Sequence, residues 1–208
     1  MSDVILVLNA GSSSIKFSVF AAQPEAEELL LRGQIEALQT APRFVAKDPA
    51  GATIAERAWE ENTRLGHAGA IDHLVGFLRQ NNKDDRLIAV GHRVVHGGTE
   101  FSEPTLVTPE VIACLEKFVP LAPLHQPHNL LPIRIVAERR PELPQVACFD
   151  TAFHRAQPEV AQAFALPAEI TARGVRRYGF TAFRTNTSQV PCRGMMRGQR
   201  PDGSSCCI

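Results

Sequence analysis

Val4 to Leu8 is continuously apolar and predicts a buried strand. A small polar turn, Asn9-Ala10-Gly11-Ser12-Ser13-Ser14, follows it. Ile15, Phe17 and Val19 then alternate with Lys16 and Ser18, a period of two that predicts a second strand and hence a hairpin. Further strands are expected at Leu29–Ile35 and Arg43–Lys47, with a weaker one at Ala52–Ala58. The period changes at His67–Gln80, where Ile71, Leu74, Val75 and Leu78 share one helical face. Leu87–Val90 predicts a buried strand leading into Gly91-His92-Arg93-Val94-Val95-His96-Gly97-Gly98. Thr108-Pro109-Glu110 supplies a cap, a first-turn proline and an acid, and so starts a helix lined by Val111, Leu115 and Phe118. Another helix is expected from about Pro127 to Arg139, then a strand at Gln145–Phe149 ending on Asp150. Strands first and helix–strand alternation afterwards predict an α/β fold with a mixed sheet and flanking helices.

Beyond Phe180 the pattern disappears. Residues 181–208 hold one acid, Asp202, and three cysteines, Cys192, Cys206 and Cys207, with no apolar period. They predict neither helix nor strand, and a disordered tail is expected there. The cysteine spacing fits no zinc pattern. Cys114 and Cys148 sit in apolar segments and read as reduced core residues.

Bulk composition narrows the function only a little. The 208 residues carry 22 basic and 22 acidic side chains, so nothing points to nucleic acid or an anionic membrane as the main partner. No apolar run approaches membrane-spanning length and no secretory leader is expected, so a cytoplasmic location is anticipated.

Four segments carry candidate chemistry. The Asn9–Ser14 turn has small residues and hydroxyls that can converge on phosphate oxygens, with Lys16 nearby on the second strand. Its spacing is not that of a P-loop, and a plain hairpin turn with a solvated lysine is the alternative. Arg93 leaves the end of a strand, offering a planar fork to a carboxylate or phosphate, or else a structural ion pair. His92 and His96, four apart, lie in strand and loop surroundings that disfavour a zinc pair. His125, between Pro123 and Pro127, either donates to a phosphoryl oxygen or satisfies local backbone. Asp150 closes a strand, where it can contact substrate or cap the next helix.

In combination these segments resemble the acetokinase family. The carrying residues are Asn9 to Lys16, Gly91 to Gly98, Pro120-Leu121-Ala122-Pro123-Leu124-His125, Phe149-Asp150-Thr151-Ala152-Phe153-His154 and Arg177-Tyr178-Gly179-Phe180. They come in family order over residues 3 to 180. The resemblance implies a ribonuclease H-like N-terminal domain of the actin, sugar kinase and Hsp70 superfamily. It implies reversible phosphoryl transfer from ATP to acetate with Mg2+, in an enzyme that forms a homodimer. Propionate and other short-chain acyl kinases are close relatives, and a non-catalytic binding module is the remaining alternative. By resemblance, Asn9 helps hold magnesium, while Lys16, Ser12 and Ser14 face the nucleotide phosphates. Arg93 binds the acetate carboxylate or the phosphoryl group. Val95, Leu124 and Phe180 form the pocket for the methyl group. Asp150 is the acid/base position and His125 lies near the transferring phosphoryl.

The family follows Gly-Phe with His-Gly, a histidine that stabilises the transition state. Here Thr181 stands in that place. The family's later segments supply most of the adenosine site, a second arginine and an acidic magnesium ligand. The expectation is a domain at 1–180 followed by a non-family tail at 181–208, produced by a frameshift after Phe180. Codons exist for Thr181 to Ser188 that, with one C restored ahead of them, read His-Gly-Leu-Ser-Tyr-Glu-Tyr-Ile, as the family would show. The chain as given is expected to be inactive.

Overall fold

The computed structural model describes residues 2–23, 27–81, 85–155 and 157–178. Eight strands form one mixed sheet in the order β5-β4-β3-β2-β1-β6-β8-β7. Strands β1 (Asp3–Ala10), β2 (Ile15–Ala22), β3 (Glu27–Glu36), β4 (Arg43–Lys47) and β5 (Thr53–Ala58) form an antiparallel meander. Then β6 (Arg86–Val94) joins β1 in parallel, and β8 (Gln145–Phe149) joins β6 in parallel. The short β7 (Thr105–Leu106) closes the far edge antiparallel to β8. Helices α1 (Gly66–Asn81), α2 (Pro109–Glu116) and α3 (Gln126–Arg139) are the long ones, and α4 (Glu159–Gln162) and α5 (Ala168–Ala172) are single turns.

The period of two in the first strands is realised as burial. Val4, Leu6, Leu8 and Ala10 of β1, with Ile15, Phe17 and Val19 of β2, face a core shared with Ile71, Leu74 and Phe77 of α1. A second cluster brings Val94, Ala147 and Phe149 of the sheet against Leu115 and Phe118 of the α2 region and Leu130 and Ile133 of α3. The cap foreseen at Thr108 is formed: its hydroxyl accepts from the Val111 N–H at 3.3 Å.

The structure lengthens two expected strands: Asn9 and Ala10, expected in the turn, close β1 and pair with Lys16 and Ile15. The strand expected to stop at Val90 runs on to Val94. Gly91 and His92 pair with Val7 and Leu8 of β1, and Arg93 and Val94 pair with Cys148 and Phe149 of β8. Pairing on both flanks satisfies backbone groups that a glycine-rich segment would otherwise leave open, so sheet context overrides local composition. Arg93 therefore sits on a central strand and not in the loop beyond it.

An aliphatic cavity of about 290 Å³ lies between α1, α3 and the starts of β1 and β6, lined by residues such as Val4, Leu74 and Leu87. It is at the opposite end of the strands from Arg93 and is therefore separate from the site below; of the arginines at its rim, Arg86, Arg139 and Arg140 are paired with Asp3, Asp72 and Glu142.

His92 is buried on the helical side of β6, with Nε2 2.8 Å from Gln145 Oε1. Gln145 Nε2 in turn donates to the Ile133 carbonyl at 3.3 Å, which fixes its oxygen toward the ring, so His92 Nε2 carries the proton. Burial lowers the pKa of His92 to about 4, against the upward pull of the Gln145 bond. Below about pH 6.5 the unfolded chain takes up a proton here that the folded chain refuses, so stability falls as pH drops from about 6.5 toward 4, at ~1.4 kcal/mol per unit. Urea unfolding across that window should show a falling midpoint, and His92→Gln should flatten the slope. His67, His73 and His96, also lowered chiefly by burial, pull in the same direction, so the difference between the two proteins isolates His92.

Candidate active site

The ends of three parallel strands deliver three polar side chains to one face. Asn9 is the penultimate residue of β1, Arg93 of β6, and Asp150 directly follows β8. The Arg93 guanidinium grips Asp150 with two bonds, Nε to Oδ1 at 2.9 Å and Nη2 to Oδ2 at 2.5 Å. Its Nη1 donates to Asn9 Oδ1 at 3.1 Å. The Asp150 side chain is 1% exposed and that of Arg93 35%. Three of the five guanidinium N–H groups are thus spent on holding the fork, and the accessible remainder can meet an incoming anion.

The ion-pair reading of Arg93 is realised, and the fork stands at the strand ends. Asp150 does not cap the following turn. It begins a 3-10 turn whose cap is Phe149, and its carboxylate goes to Arg93 instead. Burial holds the Asp150 carboxyl above its ordinary value, while the Arg93 bonds and the nearby charges of Arg93 and His125 pull it back.

Lys16 on β2 lies directly opposite Asn9, so it shares the face of the Arg93 fork and is exposed there. Between them the turn closes on itself, with the Gly11 N–H donating to the Ser14 carbonyl at 2.8 Å. Ser12 is exposed and Ser14 half-buried. The first residue past β6, Val95, is buried, whereas Leu124 is 75% exposed on the loop before α3. His125 is exposed at the N-cap of α3, and its ring caps nothing. Phe180 and Thr181 lie outside the described residues, as does the tail expected at 181–208. Tyr178 is placed, its ring edge-on to His96 at 4.4 Å.

Several supporting residues were not foreseen. Thr151 Oγ1 accepts from the Gly97 N–H at 3.0 Å, and His96 Nδ1 accepts from the Gly98 N–H at 2.8 Å. At the start of α1, His67 places Nε2 2.8 Å from the Gly11 carbonyl. Gln126 and Asn129, in the first turn of α3, reach the ends of β6 and β1. In the sequence they read as ordinary polar residues of a helix start. The one available hint is that a cluster of prolines fixes where that helix begins.

Residues 4–190 match the acetokinase family. The acetate kinase of Rhodopseudomonas palustris strain CGA009 is 53% identical over 182 residues, covering 86% of this chain and 45% of the relative. The acetate kinase of Deinococcus radiodurans is 42% identical over 201 residues, covering 94% of this chain and 48% of the relative. Among solved structures, a propionate kinase from Francisella tularensis superposes with a TM-score of 0.74 at 36% identity, and the acetate kinase of Porphyromonas gingivalis with 0.73 at 35%. Each pairing covers 86% of this chain and 45% of the other. The chain thus spans about half the length of the relatives it matches, and it shares the actin-like α/β fold of those kinases. With the strand ends converging on Arg93 and the match running through all the motifs around it, the chain belongs to the acetokinase family.

Proposed function

We propose that this chain supplies the acyl- and phosphoryl-binding half of an ATP-dependent acetate kinase. The observation that carries the reading is the Arg93 fork, anchored by Asp150 and Asn9 at three converging strand ends. An acetate oxygen attacks the γ-phosphorus of ATP, a new P–O bond forms, and the bond to the β-phosphate oxygen breaks. The nucleophile is already an anion, so no base is required, and positioning and charge neutralisation carry the catalysis. Arg93 directs its remaining N–H groups at the acetate carboxylate or the moving phosphoryl. Asp150 and Asn9 keep that fork from rotating. Lys16, Ser12 and Ser14 face the nucleotide phosphates, and His125 donates to the phosphoryl from the opposite loop. Val95 and Leu124 border the methyl group, with Phe180 as the third wall.

Magnesium, when bound, neutralises the phosphates. Among the described residues no group of three histidine, cysteine or acidic side chains could hold a metal. Asn9 offers one neutral oxygen that already accepts from Arg93. That donor set fits a phosphate-borne ion keeping most of its waters, with Asn9 as one direct or water-bridged contact.

We further propose that the domain ends at 180 and that the following residues result from a frameshift, although the family match runs ten residues further, to 190. Among the described residues no helix is long and apolar enough to cross a membrane. Homodimerisation and a cytoplasmic location belong to the same proposal.

Resequencing the gene across the codons for Tyr178 to Asn186 decides the frame. Trapping acetyl phosphate as its hydroxamate decides the activity. The chain as given should yield none from acetate and Mg·ATP, and a frame-restored chain should yield it. An inactive frame-restored enzyme would sink the proposal. The propionate kinase neighbour makes a longer acyl chain the second candidate substrate. The ratio of kcat/KM for acetate and propionate settles which is preferred.

A further inference from the structure

We infer that Asn129 is a positioning residue that fixes the spacing between the phosphate-facing turn and the acyl pocket. The inference rests on the reading of Asn9–Ser14 as that turn.

Asn129 is 4% exposed, and each end of its amide is committed to the backbone of a different strand end. Its Oδ1 accepts from the Val95 N–H at 2.9 Å, and its Nδ2 donates to the Ala10 carbonyl at 2.6 Å. One partner is a donor and the other an acceptor, so only one orientation of the amide satisfies both. Aspartate could serve Val95 but not Ala10, and leucine could serve neither.

The same turn of α3 makes a parallel set of contacts. Gln126, fully buried, accepts from the His96 N–H at 3.2 Å and donates to the His96 carbonyl at 2.9 Å and the Leu115 carbonyl at 3.3 Å. The end of β6 is therefore held at two successive residues. From the other helix, His67 holds the Gly11 carbonyl. The carbonyl oxygens of Ala10 and Gly11, which would repel a phosphate, are both kept against the helices. Neither Asn129 nor Gln126 lies on the face of the Arg93 fork. They act on the ligand only through the backbone they hold, and Asn129 joins the β1 end to the β6 loop directly.

Amide hydrogen exchange on the 208-residue chain tests the clamp without needing activity. In Asn129→Asp, exchange across residues 10–14 should accelerate about tenfold, the scale of one buried hydrogen bond lost, while Val95 stays protected. In Asn129→Ala both segments should accelerate, with β2 to β4 unchanged. Leu130→Ala, a neighbouring core truncation, should instead loosen the packing around α3 without singling out 10–14. Unaltered exchange at 10–14 in both Asn129 variants, or a pattern matching Leu130→Ala, would overturn the inference. In a frame-restored enzyme, Asn129→Asp should raise KM for ATP about tenfold with KM for acetate little changed. An enzyme that made no acetyl phosphate even without the substitution would sink the functional proposal, and the exchange result would still decide the clamp.

Discussion

Arg93→Ala should be the most damaging substitution for function and should also reverse a trend in stability. In a frame-restored enzyme, acetyl phosphate formation should fall by roughly 10²–10³-fold, the usual consequence of losing a group aimed at developing phosphoryl charge. Stability should fall as well. Breaking a buried pair from one side costs about 3–5 kcal/mol, and the partial exposure of Arg93 places this case at the lower end. The carboxylate left behind is 1% exposed. Stripped of its partner, Asp150 should move further above the ordinary carboxylate value, because burial is already the largest influence on it and acts upward. A carboxyl raised in the folded state contributes most when protonated. Its contribution is fully present below the unfolded pKa of about 3.9 and is lost as pH rises through the folded value. The variant should therefore gain stability on mild acidification relative to the parent chain, against the histidine-driven loss described for His92. Urea midpoints at pH 7 and 5 for both proteins provide the check, and parallel slopes would refute the account.

Gly98→Ala should be a costly change although it removes no functional group. Gly98 has φ of +64°, in the left-handed region where a side chain is penalised. A Cβ there would also stand 2.3 Å from Phe118 Cζ and 2.4 Å from its Cε1. The Phe118 ring belongs to the cluster beneath β6 and β8 and meets both Phe101 and His96, so it has little room to retreat. Backbone strain of about 1–2 kcal/mol and overpacking of about 1–3 kcal/mol add because they act at one point. At roughly 2–4 °C per kcal/mol for a chain of this size, the melting temperature should drop by about 10 °C. Gly76→Ala serves as the control, since nothing lies within 4 Å of its added methyl and a helix interior favours alanine. It should be neutral or stabilising. The Gly97-Gly98 pair is thus explained by the loop after β6 passing directly over an aromatic core.

Much of this was legible in the sequence. Alternation in Ile15, Phe17 and Val19 and the helical spacing of Ile71, Leu74 and Leu78 report burial directly, because one buried face imposes one period. Asn9 and Asp150 each directly followed a predicted strand and Arg93 lay three residues past one, and strand ends in such sheets gather on one side. Their mutual bonding was not legible, since it depends on which strands are neighbours. Only the order β1-β6-β8 places residues 9, 93 and 150 side by side. The extension of β6 to Val94 was hidden because Gly91 and Arg93 have weak strand preference of their own. The roles of His67, Gln126 and Asn129 were hidden for a related reason. A polar residue at a helix start looks solvated until the helix is docked against a loop from elsewhere in the chain.

The same strand order sets a timetable for folding. The meander from β1 to β5 closes only short loops, whereas β6 must find β1 across more than sixty residues and β8 must then find β6. Loop-closure entropy makes the early strands fast and the parallel additions slow. Trp59, the sole tryptophan, follows β5 and rests edge-on against His73 of α1, so its emission follows the arrival of α1 on the meander. Asn9 is in place at that stage, but Arg93 and Asp150 are not. A refolding chain should acquire its tryptophan signal before it can hold an anion, and the interval between the two events is the time taken to insert the central parallel strands.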